Sequence, residues 1–156
     1  MSIEAPTTDG SNEDKDMEIA KAIIEKSSGI EIKVHNPQEK KGGAFSKNYF
    51  TYEISGKDKN GSISVQRRYK EFDALRERLK LNWPGIFIPA LPEKKLDKNN
   101  NKIIKEREIF LNHFMKKCAK MDHIFYSEEM QIFLRSTGSS DELLKNLTTM
   151  APKTAS

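Results

Sequence analysis

Residues 61–80, Gly-Ser-Ile-Ser-Val-Gln-Arg-Arg-Tyr-Lys-Glu-Phe-Asp-Ala-Leu-Arg-Glu-Arg-Leu-Lys, change hydrophobic period at their midpoint, and that change decides the fold. Ile63 and Val65 alternate with Ser62, Ser64 and Gln66, the two-residue period of a half-buried strand. From Tyr69 onward Phe72, Leu75 and Leu79 recur at helical spacing, with Arg76, Arg78 and Lys80 near the helix end, where cations suit the dipole. Upstream, Asn60-Gly61 tolerates the positive φ angles of a tight hairpin, and Phe50, Tyr52 and Ile54 form the alternating face of a preceding strand. Ile30, Ile32 and Val34 give a first strand, separated from the second by a glycine- and lysine-rich loop, Gln38 to Lys47. Downstream, Pro84-Gly85 stops the helix and an irregular stretch runs to Asn101. A second helix over about Lys102 to Lys120 places Ile103, Phe110, Leu111, Phe114, Met115 and Cys118 on one face. A third, near Ser127 to Arg135, buries Met130, Phe133 and Leu134. The expected class is α+β: a three-stranded antiparallel meander packed against a bundle of about three helices.

The flanks read differently. Residues 1–28 carry seven acids against three lysines and are expected to be a disordered acidic leader, with a turn or two of helix from Met17 to Ile24. Residues 29–136 form the expected domain, and 137–156 a flexible tail or linker with a helical turn between Asp141 and Leu147. The chain has 156 residues with a net charge of +4, but the leader is −4, so the remainder is +8. A basic body points to an anionic partner, whether phosphate-bearing lipid, nucleic acid or acidic protein. No run approaches the roughly 18 apolar residues of a membrane span, and the acidic start matches neither a secretory nor a transit peptide. The single cysteine, Cys118, forms no internal disulfide, so a cytoplasmic location is expected.

Two arginines stand in costly places. Arg107 lies four residues after Ile103 and four before Leu111, on the apolar stripe of the second helix. A charge there needs an anion. An internal carboxylate such as Glu71 or Glu53 would serve, as would snorkelling of the guanidinium to the stripe's edge. Arg67 and Arg68 are consecutive on a strand, so they point to opposite faces and one meets the packed side. They also stand where the strand becomes a helix, whose N-terminus favours anions, and a guanidinium fork suits phosphate. Tyr69 offers a ring face to a sugar or inositol, or else packs in the core.

Other patterns carry less. Pro89-Ala90-Leu91-Pro92 has the spacing of a polyproline ligand but sits inside a folded loop. Asp97 to Asn101 with Glu108 mimics a calcium loop but has Lys102 where the turn glycine belongs. Gly42-Gly43 lacks a nucleotide-loop pattern, His35, His113 and His123 lack ligand spacing, and Cys118 reads as core. No nucleophile–base set, metal cluster or cofactor fingerprint is evident, so the expectation is no enzyme, no cofactor, no metal and no catalytic residue.

Three motifs, in order, then resemble one family. Arg67-Arg68-Tyr69-Lys70-Glu71-Phe72 is similar to the signature that bridges third strand and first helix in PX (phox-homology) domains. Ile88-Pro89-Ala90-Leu91-Pro92-Glu93-Lys94 matches that family's ΨPxxPxK loop, and Arg107 lies in a helix resembling its second signature. The closing segment Ser127 to Leu134 is similar as well, so the resemblance covers roughly residues 29–136 and is nearest to sorting nexins. It implies the PX-domain fold and a peripheral endosomal membrane-recruitment module in protein trafficking that reads phosphatidylinositol 3-phosphate. Arg68 would bind the 3-phosphate, Tyr69 stack under the inositol, Lys94 meet the phosphate joining ring to glycerol, and Arg107 reach the 4- and 5-hydroxyls. Arg67 would brace the loop or join a salt bridge. Phe45 and Leu96 are the candidates for membrane insertion, although Lys95, Lys98 and three asparagines make the second loop unusually polar. Coat or cargo proteins are the implied further partners, with dimerisation an option in a longer chain, and nucleic acid is not an expected partner. The competing reading is a PX-like basic domain that binds proteins or polyanions without lipid selectivity.

Overall fold

A computed structural model describes residues 15–19, 29–92 and 100–150. Its sheet has the order β1-β2-β3, with β1 Glu31–Lys40, β2 Tyr49–Asp58 and β3 Gly61–Arg68 all antiparallel. Five helices follow among the described residues: α1 Tyr69–Asn82, α2 Asn101–Ala119, α3 Asp122–Phe125, α4 Glu128–Arg135 and α5 Ser140–Thr149. The α+β meander is the architecture the periodicities predict, with two helices more than expected.

One face of the sheet carries Ile32, Val34, Tyr52, Ile54 and Ile63 into the core, where they meet Phe72, Leu75 and Leu79 of α1 and Leu111, Phe114 and Met115 of α2. The Phe72 and Phe133 rings meet edge to face at 4.9 Å, joining α1 to α4. The free edge of β1 is covered rather than exposed: α2 packs along it, and the Val34 amide donates to Asn112 Oδ1 at 2.9 Å.

Three sequence expectations are corrected. β1 does not stop at Val34. A bulge between His35 and Gln38, with Asn36 at φ 53°, takes up the irregularity, and pairing resumes as Gln38↔Thr51, Glu39↔Phe50 and Lys40↔Tyr49. The connecting loop is therefore confined to residues 41–48. On α2 the buried stripe is Ile104, Arg107, Leu111, Phe114, Met115 and Cys118, whereas Phe110 is exposed and Ile103 half-buried. The stripe is centred on Leu111 and Phe114, which turns Phe110 to its solvent flank.

The third correction concerns the stretch 137–156, expected to be a tail. Through Met150 it is part of the folded body. Leu143 and Leu147 of α5 are buried in the core, and Ser139 caps the helix by accepting from the Glu142 amide. Arg78 of α1 donates from Nε to the Leu147 carbonyl at 2.5 Å, from Nη2 to Thr148 at 2.6 Å and from Nη1 to Met150 at 2.7 Å. Those carbonyls end a helix and have no intrahelical donor, so one buried cation satisfies all three. Within the leader, residues 15–19 are helical, and the rest of the expected 1–28 segment lies outside the described residues.

Candidate functional site

The end of the sheet where β3 runs into α1 brings together Arg67, Arg68, Tyr69 and Arg107 of the residues singled out in the sequence, with Phe45 on the adjoining loop. Arg67 and Arg68 do part to opposite faces. Arg67 turns inward, 6% exposed, and donates from Nε to Phe133 O at 2.8 Å, from Nη1 to Gln66 O at 3.1 Å and from Nη2 to Ser136 O at 2.6 Å. Burial lowers its pKa and the Glu71 carboxylate works against that shift. It is a brace between β3 and the C-terminal end of α4, formed through carbonyls rather than a salt bridge.

Arg68 takes the other face, half-buried, with its guanidinium carbon 3.9 Å from the centre of the Tyr49 ring. Its backbone places it as the residue before α1, and its amide is accepted by Glu71 Oε1 at 3.0 Å. That bond caps the first turn and commits Glu71 to the backbone.

Tyr69 opens α1, half-buried against the core. Its hydroxyl donates to the Pro92 carbonyl, and Arg76 Nε, two turns along α1, donates to the Pro89 carbonyl at 2.9 Å. With Ile88 buried, these bonds lay the 88–92 segment along α1 and deliver its end to Tyr69.

Arg107 comes to the same ring from α2. Its guanidinium carbon stands 4.1 Å from the Tyr69 centroid, the residue is 7% exposed, and Nε and Nη2 are buried with no hydrogen-bond partner. The internal carboxylates that could have explained it are engaged elsewhere: Glu71 with the Arg68 amide, Glu53 with Asn36 Nδ2 at 3.2 Å. Among the described residues no ion pair reaches Arg107 or Arg68. Tyr52, nearby on β2, has its hydroxyl pushed up to about 12 by burial, partly countered by the Arg107 charge and reinforced by Glu108. At neutral pH it adds no negative charge. Three buried arginines thus differ sharply: Arg67 and Arg78 have every guanidinium nitrogen on a carbonyl, and Arg107 does not. Leaving such donors unmet inside a protein is destabilising unless something else meets them.

The 41–48 loop rises from the same end of the sheet, since Lys40↔Tyr49 closes it and Thr51↔Arg68 lies two positions away. It turns through a Ser46 N–H to Gly43 O bond of 2.9 Å and leaves the Phe45 side chain fully exposed. Gly42 is needed there, because a Cβ would fall 2.5 Å from the Ser46 and Lys47 carbonyl oxygens. Lys94 and Leu96 lie outside the described residues. Sequence reasoning missed Tyr49, although strand register would have placed it beside Arg68. Among the described residues no three His, Cys, Asp or Glu side chains gather as a metal site, and no helix is long and apolar enough to cross a membrane.

Comparison with solved structures gives the class. The fold superposes on a designed CISK-PX domain with a TM-score of 0.60 at 21% identity, covering 68% of this chain and 99% of that one. It also matches the mouse SNX19 PX domain, a structure with a bound sulphate ion, at a TM-score of 0.50 and 26% identity, covering 67% and 93%. The PX domain family model matches residues 55–137, and the chain belongs to the PX domain family. Similar proteins include sorting nexin-30 of Xenopus tropicalis, 28% identical over 113 residues, 66% of this chain and 25% of that protein. Sorting nexin-41 of Kluyveromyces lactis is 36% identical over 96 residues, 55% of this chain and 17% of that protein. The chain therefore spans about a quarter or less of these relatives.

Proposed function

We propose that this domain recruits its protein to membranes by binding phosphatidylinositol 3-phosphate, without catalysing a reaction. The observation that carries the reading is the buried Arg107 guanidinium facing Tyr69, its Nε and Nη2 without a hydrogen-bond partner, with Arg68 presented from the neighbouring position. An anionic headgroup would supply the partner that no described carboxylate does. Arg68 takes the 3-phosphate, Tyr69 lies under the inositol, and Arg107 reaches the 4- and 5-hydroxyls. Lys94 is the residue assigned to the phosphate that links ring to glycerol. Phe45 and Leu96 are the residues assigned to the bilayer. The relatives are sorting nexins by name, which supports a sorting-nexin-like role; its site on endosomal membranes and coat or cargo proteins as further partners belong to the same proposal.

Liposome sedimentation across the phosphoinositide series tests this directly. Wild-type protein should sediment best with phosphatidylinositol 3-phosphate, and Arg68→Ala should abolish recruitment while remaining folded. Equal binding to all anionic vesicles, with a steep salt dependence and only small losses at Arg68, would instead identify a general polyanion binder.

A further inference from the structure

We propose that Tyr49 belongs to the headgroup site, its ring holding the Arg68 guanidinium in place for the ligand phosphate. This rests on the phosphoinositide reading and adds a residue that the motif does not contain. Arg68 pairs with Thr51 across the β2–β3 ladder, and Tyr49 stands two positions further along β2. Side chains two apart on a strand share a face, so Tyr49 and Arg68 are diagonal neighbours, within reach of each other for long side chains. The contact is realised, with Arg68 Cζ 3.9 Å from the ring centre.

The choice of an aromatic support has a chemical consequence. A carboxylate would fix Arg68 by occupying the edge of its guanidinium, the same edge that binds phosphate. A ring attracts the cation through its face and leaves the in-plane N–H donors free. Arg68 can therefore be ordered before the ligand arrives without losing the donors that recognise it, which lowers the entropy lost on binding. Arg107 repeats the device on Tyr69 at 4.1 Å, whereas the structural Arg67 and Arg78 have their edges taken by carbonyls, even though Arg67 also lies over the Phe133 ring at 5.6 Å. The stack uses the ring and not the Tyr49 hydroxyl.

The test compares Tyr49→Phe with Tyr49→Leu by calorimetric titration with a soluble short-chain phosphatidylinositol 3-phosphate, which removes bilayer insertion from the measurement. Phenylalanine should bind within about twofold of wild type and leucine more weakly by roughly two- to fivefold, both with wild-type melting temperatures. In lipid-free protein, the heteronuclear NOE of the Arg68 Nε–Hε group should stay high in Tyr49→Phe and drop in Tyr49→Leu. Wild-type affinity and an unchanged NOE in Tyr49→Leu would overturn the proposal, as would equal losses in the two variants. If wild-type protein failed to bind the soluble lipid, the phosphoinositide reading would fall. The Nε–Hε measurement would then still decide whether Tyr49 orders Arg68.

Discussion

Arg107 rests 4.1 Å above the centre of the Tyr69 ring with two of its three nitrogens buried and unpartnered, a geometry that serves a ligand better than it serves the fold. Replacing the guanidinium with an unbranched apolar side chain removes donors whose burial is uncompensated in the free protein. Arg107→Met should therefore be as stable as wild type in urea denaturation, or more stable by about 1 kcal/mol, while losing binding to phosphatidylinositol 3-phosphate vesicles. A loss of stability beyond about 1 kcal/mol would show that the charge holds the domain together.

Arg78 is buried equally and should behave in the opposite way. Its three nitrogens hold the carbonyls of Leu147, Thr148 and Met150, the main polar tie between α1 and α5. Hydrogen bonds from a buried cation are among the stronger ones, and their carbonyl partners would be left to water or to nothing. Arg78→Met should cost about 2–4 kcal/mol in denaturant and raise amide hydrogen exchange across residues 140–150. Headgroup affinity of the folded fraction should be unchanged.

The contrast between these arginines shows where the sequence was readable. Arg107 stood out because a charge interrupted an apolar stripe, and Arg67 and Arg68 because strand alternation forces them apart; in each case a local period fixes direction. The partners of Arg78 are invisible to any period, since they are carbonyls 69–72 residues away. The meander and α1 were legible from alternation and its change at Tyr69. β1 was cut short because a bulge at Asn36 and Pro37 breaks the alternation without ending the pairing. α5 was legible only as a helical turn between Asp141 and Leu147, although Ser139 and Glu142 have capping-box spacing and Leu143 and Leu147 are one helical turn apart. Its polar composition hid a helix that tertiary contact with α1 completes.

Acid should probe the β2–β3 hairpin. Burial raises the pKa of Asp58, but hydrogen bonds from Arg135, the Asn60 amide and Gln131 outweigh it and hold the carboxyl below its ordinary 3.8. Arg135 meets both carboxylate oxygens, Nη2 to Oδ1 at 2.5 Å and Nη1 to Oδ2 at 3.0 Å. A depressed folded-state pKa contributes stability that is complete above the unfolded value and is lost as pH falls through the folded one. Asp58→Asn should thus be less stable than wild type at neutral pH, with the difference shrinking below pH 3.8. Parallel pH–stability curves for the two proteins would count against the clasp.

Cys118 gives an internal reporter of opening. It is fully buried on α2, and burial pushes its thiol up to about 12. At pH 8 the thiol of the closed protein is then held protonated, and alkylating reagents react with the thiolate. Iodoacetamide labelling in native buffer should be slow and should accelerate with sub-denaturing urea, tracking unfolding. Rapid labelling of the native protein would mean that the α2 face opens locally.

Substituting Phe45 offers a way to tell headgroup binding from bilayer insertion. Its side chain is fully exposed at the tip of the 41–48 loop, beside the end of the sheet that presents Arg68, and the described contacts give the ring no packing role. Loop formation depends on Gly42 and on the Gly43–Ser46 turn, neither of which involves the Phe45 ring. Phe45→Ser should leave the melting temperature and the affinity for a soluble short-chain headgroup lipid unchanged. Burying a phenylalanine side chain is worth about 1.5–3 kcal/mol when complete, so partial insertion at an interface predicts roughly a tenfold loss in vesicle binding. Comparing the soluble and vesicle titrations isolates that contribution: equal losses in both would place Phe45 in the headgroup site, and no loss in either would mean that the loop stays clear of the membrane.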